Sequence, residues 1–360
     1  MQMVATILIY LQLFTAFWPR QSDTLKLLFL GDIMQHDAQL ESAYIGQGSK
    51  LEPGNYDYSA YFKYLKPWFS KADIVAANME TTFAPGPYSG YPVFCSPSSL
   101  AKETFESGIN LFFAANNHSV DKGSRGLEGS MAIFSQLNIP YTGIYKDSAS
   151  ARKNHPYVIE KKGFRIAFLN YTYGTNGINV PNPYVVNILD SNTVKKDMEA
   201  ASLSSPHCIV VSVHWGEEYQ LTPSAHQKKW EDFFYKHGAH LVIGSHPHVP
   251  QKVTSYKDSL GTINRITAYS LGNAISNMSA RNTRIGIMLG IEIVKEHHTS
   301  RIHFTKPRID YIWTSRPAAT GGVYTIIPME DYLDNPGKYP VKGEKALIGK
   351  YYNKFIKEHQ

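Results

Sequence analysis

At 360 residues, with 43% apolar and 18% charged side chains, the chain can bury one large core or two ordinary ones, and it is not a disordered polymer. Its net charge of +6 is mild, and no dense lysine and arginine stripe runs through it, so nucleic acid is not an expected partner. The two cysteines, Cys95 and Cys208, lack CxxC spacing and build no cysteine metal site, and the sequence leaves their pairing open.

The chain begins with "MVATILIYLQLFTAFW" (3–18), almost wholly apolar. As a helix it reaches about 24 Å, short of the roughly 30 Å hydrocarbon core. It reads as a signal peptide or short membrane anchor over 1–22, with a buried first strand or helix as the alternative. From Leu25 onward, short apolar runs alternate with amphipathic stretches. "LKLLFLGD" (25–32), "DIVAANME" (73–80), "INLFFAANNH" (109–118), "FRIAFLNY" (164–171), "CIVVSVHWG" (208–216) and "AHLVIGSH" (239–246) predict strands. Helices are predicted over 57–72, interrupted near Pro67, and over 98–108, 123–138 and 191–205. A further helix, 222–238, has a threonine cap and a proline in its first turn. Strands apolar throughout belong to sheets covered on both faces. "RIGIMLGIEIVKE" and "RIHFTKPRIDYI" then add strands with no helix between them, giving an α/β fold with an antiparallel section. The last forty residues, rich in Tyr and Lys, read as a solvated, partly helical tail.

The apolar strands end at their carboxyl sides in Asp32, Glu80, Asn117 with His118, His214, and His246 with His248. Singly, each is a turn former or an ordinary histidine. Together they place carboxylate, amide and imidazole donors where α/β sheets bind ligands. His246-Pro247-His248 is either a polar turn or a ligand pair. In an extended segment, favoured by Pro247, the two rings face one side, and Gly244 allows close packing beneath them. A mixed N/O set of this kind suits Zn, Mn, Fe or Ni rather than Ca or Mg alone.

The stretches "FLGDIM", "AANMETTF", "AANNHSVDKG", "VHWGEEY", "GSHPHV" and "YSLGN", in that order from Phe29 to Asn273, resemble the CapA-like poly-γ-glutamate capsule proteins of the calcineurin-like metallophosphoesterase superfamily. The resemblance implies a four-layer α/β/β/α sandwich over 23–310, followed by a C-terminal extension over 311–360, and a centre of two divalent metal ions (Mn, Zn or Fe). It assigns Asp32 and His248 to the first metal, Glu80 to the bridging position, and Asn117, His214 and His246 to the second. His118 takes the place of the acid at the leaving group, with Asp121 positioned to orient it. Further metal or substrate contacts are expected among His36, Asn78, Glu218, Tyr219 and Asn273. Met34 stands where the superfamily usually has histidine, which makes His36 the substitute to examine. "NME" replaces an Asp-containing motif, and Ala274 replaces an aromatic residue.

The implied function is a metal-dependent hydrolase, phosphoesterase in type, that uses a two-metal-activated water. Its substrate would be a phosphoester or anionic polymer in capsule or envelope metabolism, at the periplasmic or extracellular face. The alternative is a membrane-tethered assembly or export component, working with capsule-synthesis membrane proteins, that binds anionic polymer without turnover.

Overall fold

The computed structural model describes residues 22–296 and 301–359; the expected signal or anchor lies outside them but for Ser22. In chain order the framework runs β1 (Ser22–Ile33), β2 (Ile74–Met79), α1 (Ser98–Glu106), β3 (Leu111–Phe113), α2 (Gly123–Gln136), β4 (Phe164–Thr172), α3 (Ser191–Leu203), β5 (Cys208–His214), α4 (Ala225–Lys236) and β6 (Leu241–Ser245). It continues through β7 (Ile263–Ala268), β8 (Ile285–Glu296), β9 (Arg308–Ser315), β10 (Thr325–Pro328) and α5 (Lys345–His359).

These strands form two sheets, as the expected four-layer sandwich requires. The first has the order β10-β9-β8-β1-β2-β3, closed by the short strand Tyr141–Thr142. Its β1, β2 and β3 are parallel, and β8, β9 and β10 are the antiparallel section expected from the helix-free stretch. The second sheet places β7, β6, β5 and β4 in parallel, with antiparallel edges at Val253–Lys257 and Tyr157–Lys161.

Alternation along each strand builds the layers. Leu25, Leu27 and Phe29 of β1 join Ile166, Phe168, Val210 and Ile243 of the other sheet in a core between the sheets. Leu28 and Leu30, one residue out of phase, pack outward against Leu100, Leu127 and Phe134 of α1 and α2. On the far side, Leu169, Val211 and Val242 pack against Val194, Met198 and Phe234 of α3 and α4. The result is the four-layer α/β/β/α sandwich, with strands buried on both faces.

Three local expectations are corrected. Residues 57–65 are turns, and Pro67 lies at the start of a four-residue helix, Lys66–Phe69, where its missing N–H is harmless. The helix expected from Thr222 starts at Ala225, where Ser224 and Gln227 form a capping box that outcompetes Thr222. The carboxyl-terminal stretch is no solvated tail. β9 runs through the boundary expected at residue 310, and Ile348 and Phe355 of α5 are fully buried against the inter-sheet core. Among the described residues, no helix is long and apolar enough to cross a membrane. Both cysteines are buried free thiols, and burial pushes the Cys208 thiol well up.

Candidate metal centre

Close backbone contacts bring the strand ends of the two sheets together. At Gly31 a Cβ would lie 1.7 Å from the Gly272 carbonyl oxygen, and Gly272 itself has φ +66°. That contact lets Asp32 N–H donate to Gly272 O (3.0 Å) and pairs Asp32 with Asn273. Leu271 N–H donates to Gly244 O (3.1 Å), so "YSLGN" links β1 of one sheet to β6 of the other. Gly244 is almost as confined as Gly31: a Cβ there would sit 2.0 Å from Tyr269 O and 2.5 Å from Trp215 Nε1. Gly244→Ala is therefore expected to destabilise the chain by about 3 kcal/mol or more, because the obstruction is backbone and a buried indole. A chemical denaturation midpoint unchanged by this substitution would refute the close approach.

Asp32, Glu80, His214, His246 and His248 are all buried and lie at this junction. Asn78 holds the carboxylates, its Nδ2 donating to Asp32 Oδ1 (2.7 Å) and Glu80 Oε2 (3.3 Å). Asn116 in turn donates to Asn78 Oδ1 (3.2 Å). His214 Nε2 meets Asn117 Oδ1 at 2.8 Å and Glu80 Oε1 at 3.6 Å, and its Nδ1 meets Ser245 Oγ at 3.0 Å. His248 Nδ1 lies 2.9 Å from Asn273 Oδ1 and 3.2 Å from Asp32 Oδ2. The Asn273 amide nitrogen is committed to Ser276 Oγ and Thr283 O, so its oxygen faces His248. A proton on Nδ1 satisfies both neighbours and leaves Nε2, 3.8 Å from Glu80 Oε1, as the donor nitrogen.

The residues fit divalent cations on two observations. Asp32, Glu80 and His214 offer ligand atoms within 4.8 Å of one another, and so do Glu218, His246 and His248. Glu80 Oε1 and His246 Nδ1 are buried with no hydrogen-bond partner. Orphaned buried acceptors of this kind are rare unless an ion completes them. The electrostatics agree. In the metal-free chain, burial and then the Asp32 charge drive the Glu80 carboxyl well above its ordinary range. Burial, followed by the neighbouring imidazoles, holds His214 well below its usual value and His246 at about 3. For His248, burial pulls downward, but the Asp32 hydrogen bond and charge outweigh it and the net shift is upward.

The His246-Pro247-His248 segment differs from the extended form the sequence predicts. His246 has φ +96° and His248 φ +57°, so both residues sit in left-handed backbone. Non-glycine residues persist there only when their surroundings hold them. Here Asp32 Oδ2 accepts the His246 N–H (3.3 Å), and the two rings come to a centroid separation of 5.8 Å.

His118 stands beside the donors, outside both sets. Its Nδ1 is 2.8 Å from Asp121 Oδ2, the pairing the spacing suggested, and the same oxygen accepts Phe94 N–H at 2.6 Å. His36 serves a structural role. It caps a short helix, Asp37–Ala43, with Nδ1 against Gln39 Oε1 (3.1 Å) and Asn277 N (3.3 Å), and burial holds it at about 4. Tyr219 is held with φ +66° by donating its N–H to Pro247 O (2.8 Å), its ring 6.5 Å from His248.

The family described as "Bacterial capsule synthesis protein PGA_cap" matches residues 26–278. The chain belongs to this capsule synthesis family. It is 25% identical over 276 residues to the capsule biosynthesis protein CapA of Bacillus anthracis, covering 74% of this chain and 63% of that protein. The chain thus spans less than two thirds of that relative. It is 23% identical over 310 residues to the PGA biosynthesis protein CapA of Bacillus subtilis, covering 84% and 79% of the two chains. Among solved structures it is similar to a phosphatase from Mycoplasma pneumoniae at a TM-score of 0.44 and 14% identity, covering 83% of this chain and 96% of that one.

The matched region ends just past Asn273, so it contains every donor above. Four site residues escaped the sequence reading. Asn116 and Ser245 sit beside residues that were singled out, and their role emerges only from their hydrogen bonds. Asn176 accepts from Asn117 Nδ2 at 3.2 Å, and the Tyr173 ring lies 4.6 Å from His246 and stacks over His214 at 6.3 Å. Both follow β4, whose end carries no carboxylate or histidine to mark it. Glu218, expected as a metal or substrate contact, places its carboxylate with His246 and His248.

Proposed function

We propose that the chain is a metal-dependent phosphoester hydrolase of capsule or other cell-envelope polymer metabolism. One observation carries the reading: two N/O donor sets, buried except for the exposed Glu218, with an orphaned Glu80 oxygen between them, adjoin a His118–Asp121 pair that belongs to neither. Asp32, Glu80, His214, His246 and His248, with Asn117 and Glu218, would hold two divalent ions, of which Mn, Zn and Fe suit the donors. Such ions supply Lewis acidity at the phosphoryl oxygens and acidify water at neutral pH.

The chain's own groups do the rest. Asn78 and Asn116 keep the carboxylates facing one another, and Asn273 and Ser245 fix the orientation of the two imidazoles. Hydrolysis adds the oxygen of water to phosphorus and breaks the bond to the leaving oxygen, which then needs a proton. His118 is oriented to deliver that proton from Nε2, because Asp121 engages Nδ1 and stabilises the imidazolium. The proton released by the attacking water restores it. Metal analysis of the chain without residues 1–22, paired with phosphodiester hydrolysis in Mn and in Zn, tests the reading. About two ions per chain with chelator-sensitive turnover is the expected result. Metal without turnover on any phosphoester would favour a polymer-binding assembly role, and absence of metal would overturn the proposal.

A further inference from the structure

Eleven large apolar or aromatic side chains are exposed among the described residues, and five of them, Tyr91, Val93, Tyr173, Ile178 and Tyr219, lie on three loops around the metal centre. Such clustering is uncommon on a surface with no ligand to cover it. Each loop is tied to the site. Phe94, which follows Val93, places its ring 4.5 Å from His118, and Asn176 of the second loop accepts from Asn117. Tyr219 is fastened to Pro247 between the two histidines. Tyr91, Tyr173 and Tyr219 are 70%, 43% and 42% exposed as residues. Tyr219 keeps its ring there at the expense of left-handed backbone, a strain characteristic of ligand contacts.

The charges on these loops are as informative as the rings. Residues 88–94, 173–178 and 216–221 contain no lysine or arginine, and their only charged residues are Glu217 and Glu218. A γ-linked polyglutamate brings a carboxylate with every residue and offers no ring, so these loops have no cationic side chain to pair with it and it gives the phenols nothing to cover. A glycosyl group suits them better. The C–H face of a pyranose is apolar and its hydroxyl edge is polar, matching tyrosine's apolar body and polar tip, with Gln220 and Asn176 at hand.

We infer that the substrate presents a sugar ring beside its phosphoester, and that Tyr91, Tyr173 and Tyr219 form the collar that receives it. This rests on the hydrolase reading for its phosphoester and on the collar alone for its ring.

The test compares glucose 1-phosphate with ethyl phosphate, which carries the same phosphate and no ring, and with a γ-linked glutamate pentapeptide, using the full chain. The expected preference in kcat/KM for glucose 1-phosphate over ethyl phosphate is about tenfold, and Tyr91→Ala or Tyr219→Ala should reduce it about fivefold. Tyr91→Phe and Tyr219→Phe should preserve it, since the ring face is what matters, and metal content should be unchanged in all four. Saturation-transfer NMR on the chelated chain should carry magnetisation from tyrosine ring protons to the sugar C–H protons. A preference near one, a preference that neither alanine variant alters, or tighter binding of the pentapeptide would overturn the inference. Sugar saturation without turnover of either phosphoester would instead sink the hydrolase reading and leave the ring site standing.

Discussion

Glu80→Gln should remove most of the bound metal and at least 10³ of the turnover, while leaving the metal-free chain as stable as its parent or more so. The two effects have one cause. Glu80 is fully buried, its Oε1 has no partner, and Asp32 and Glu218 add like charge to the penalty of burial. Without a cation, the folded chain either holds an anion out of water or keeps the acid protonated against its ordinary tendency. A glutamine of the same shape removes that burden, a gain of about 1–3 kcal/mol on the scale of other buried charges. With cations the balance reverses, because a ligand that binds only the folded state stabilises it by mass action. Thermal melts with and without chelator, beside metal analysis, read both. The parent should gain midpoint on adding Mn and the variant should not. Full metal content in the variant, or a metal-free midpoint several degrees below the parent's, would remove Glu80 from the centre of the site.

That opposition also explains why the donor list was legible in the sequence. A carboxylate or imidazole ending an apolar strand conflicts with its surroundings, and Asp32, Glu80, His214, His246 and His248 each create that conflict in plain view. What the sequence lacked was the conflict's resolution in space. The strand ends are divided between two sheets, with β1, β2 and β3 in one and β5 and β6 in the other, and the residues alone do not say how those ends meet. The Gly31–Gly272 and Gly244–Tyr269 contacts, properties of the backbones, bring them together. The left-handed turn at His246 and His248 was illegible for a similar reason. Pro247 favours extended backbone locally, but the Asp32 hydrogen bond across 214 positions of chain overrides it. Asn116, Tyr173 and Asn176 were hidden because uncharged residues at loop starts look like any turn. The tail misled through composition. Its tyrosines and lysines look solvated, while Ile348 and Phe355, seven residues apart on one face of α5, carry the packing.

His118→Ala should leave metal content intact and lower kcat for an alkyl phosphoester by about 10²–10⁴, the usual range for a general acid. Its exclusion from both donor sets predicts the first result, and its Nδ1 bond to Asp121 predicts the second. The loss should shrink for a p-nitrophenyl ester, whose leaving oxygen departs without a proton. Asp121 separates orientation from charge. One oxygen, Oδ2, accepts from both His118 Nδ1 and Phe94 N–H, so asparagine can place its own carbonyl oxygen there and keep both contacts. Asp121→Asn should then lose only the carboxylate's support of the imidazolium, about tenfold in kcat, whereas Asp121→Ala frees the ring and approaches the His118→Ala value. KM and metal content should stay near the parent's in every case. If His118→Ala lowers alkyl and nitrophenyl turnover equally, the residue delivers no proton and acts by position alone. If it lowers metal content, it belongs among the ligands, and a different acid must serve the leaving oxygen.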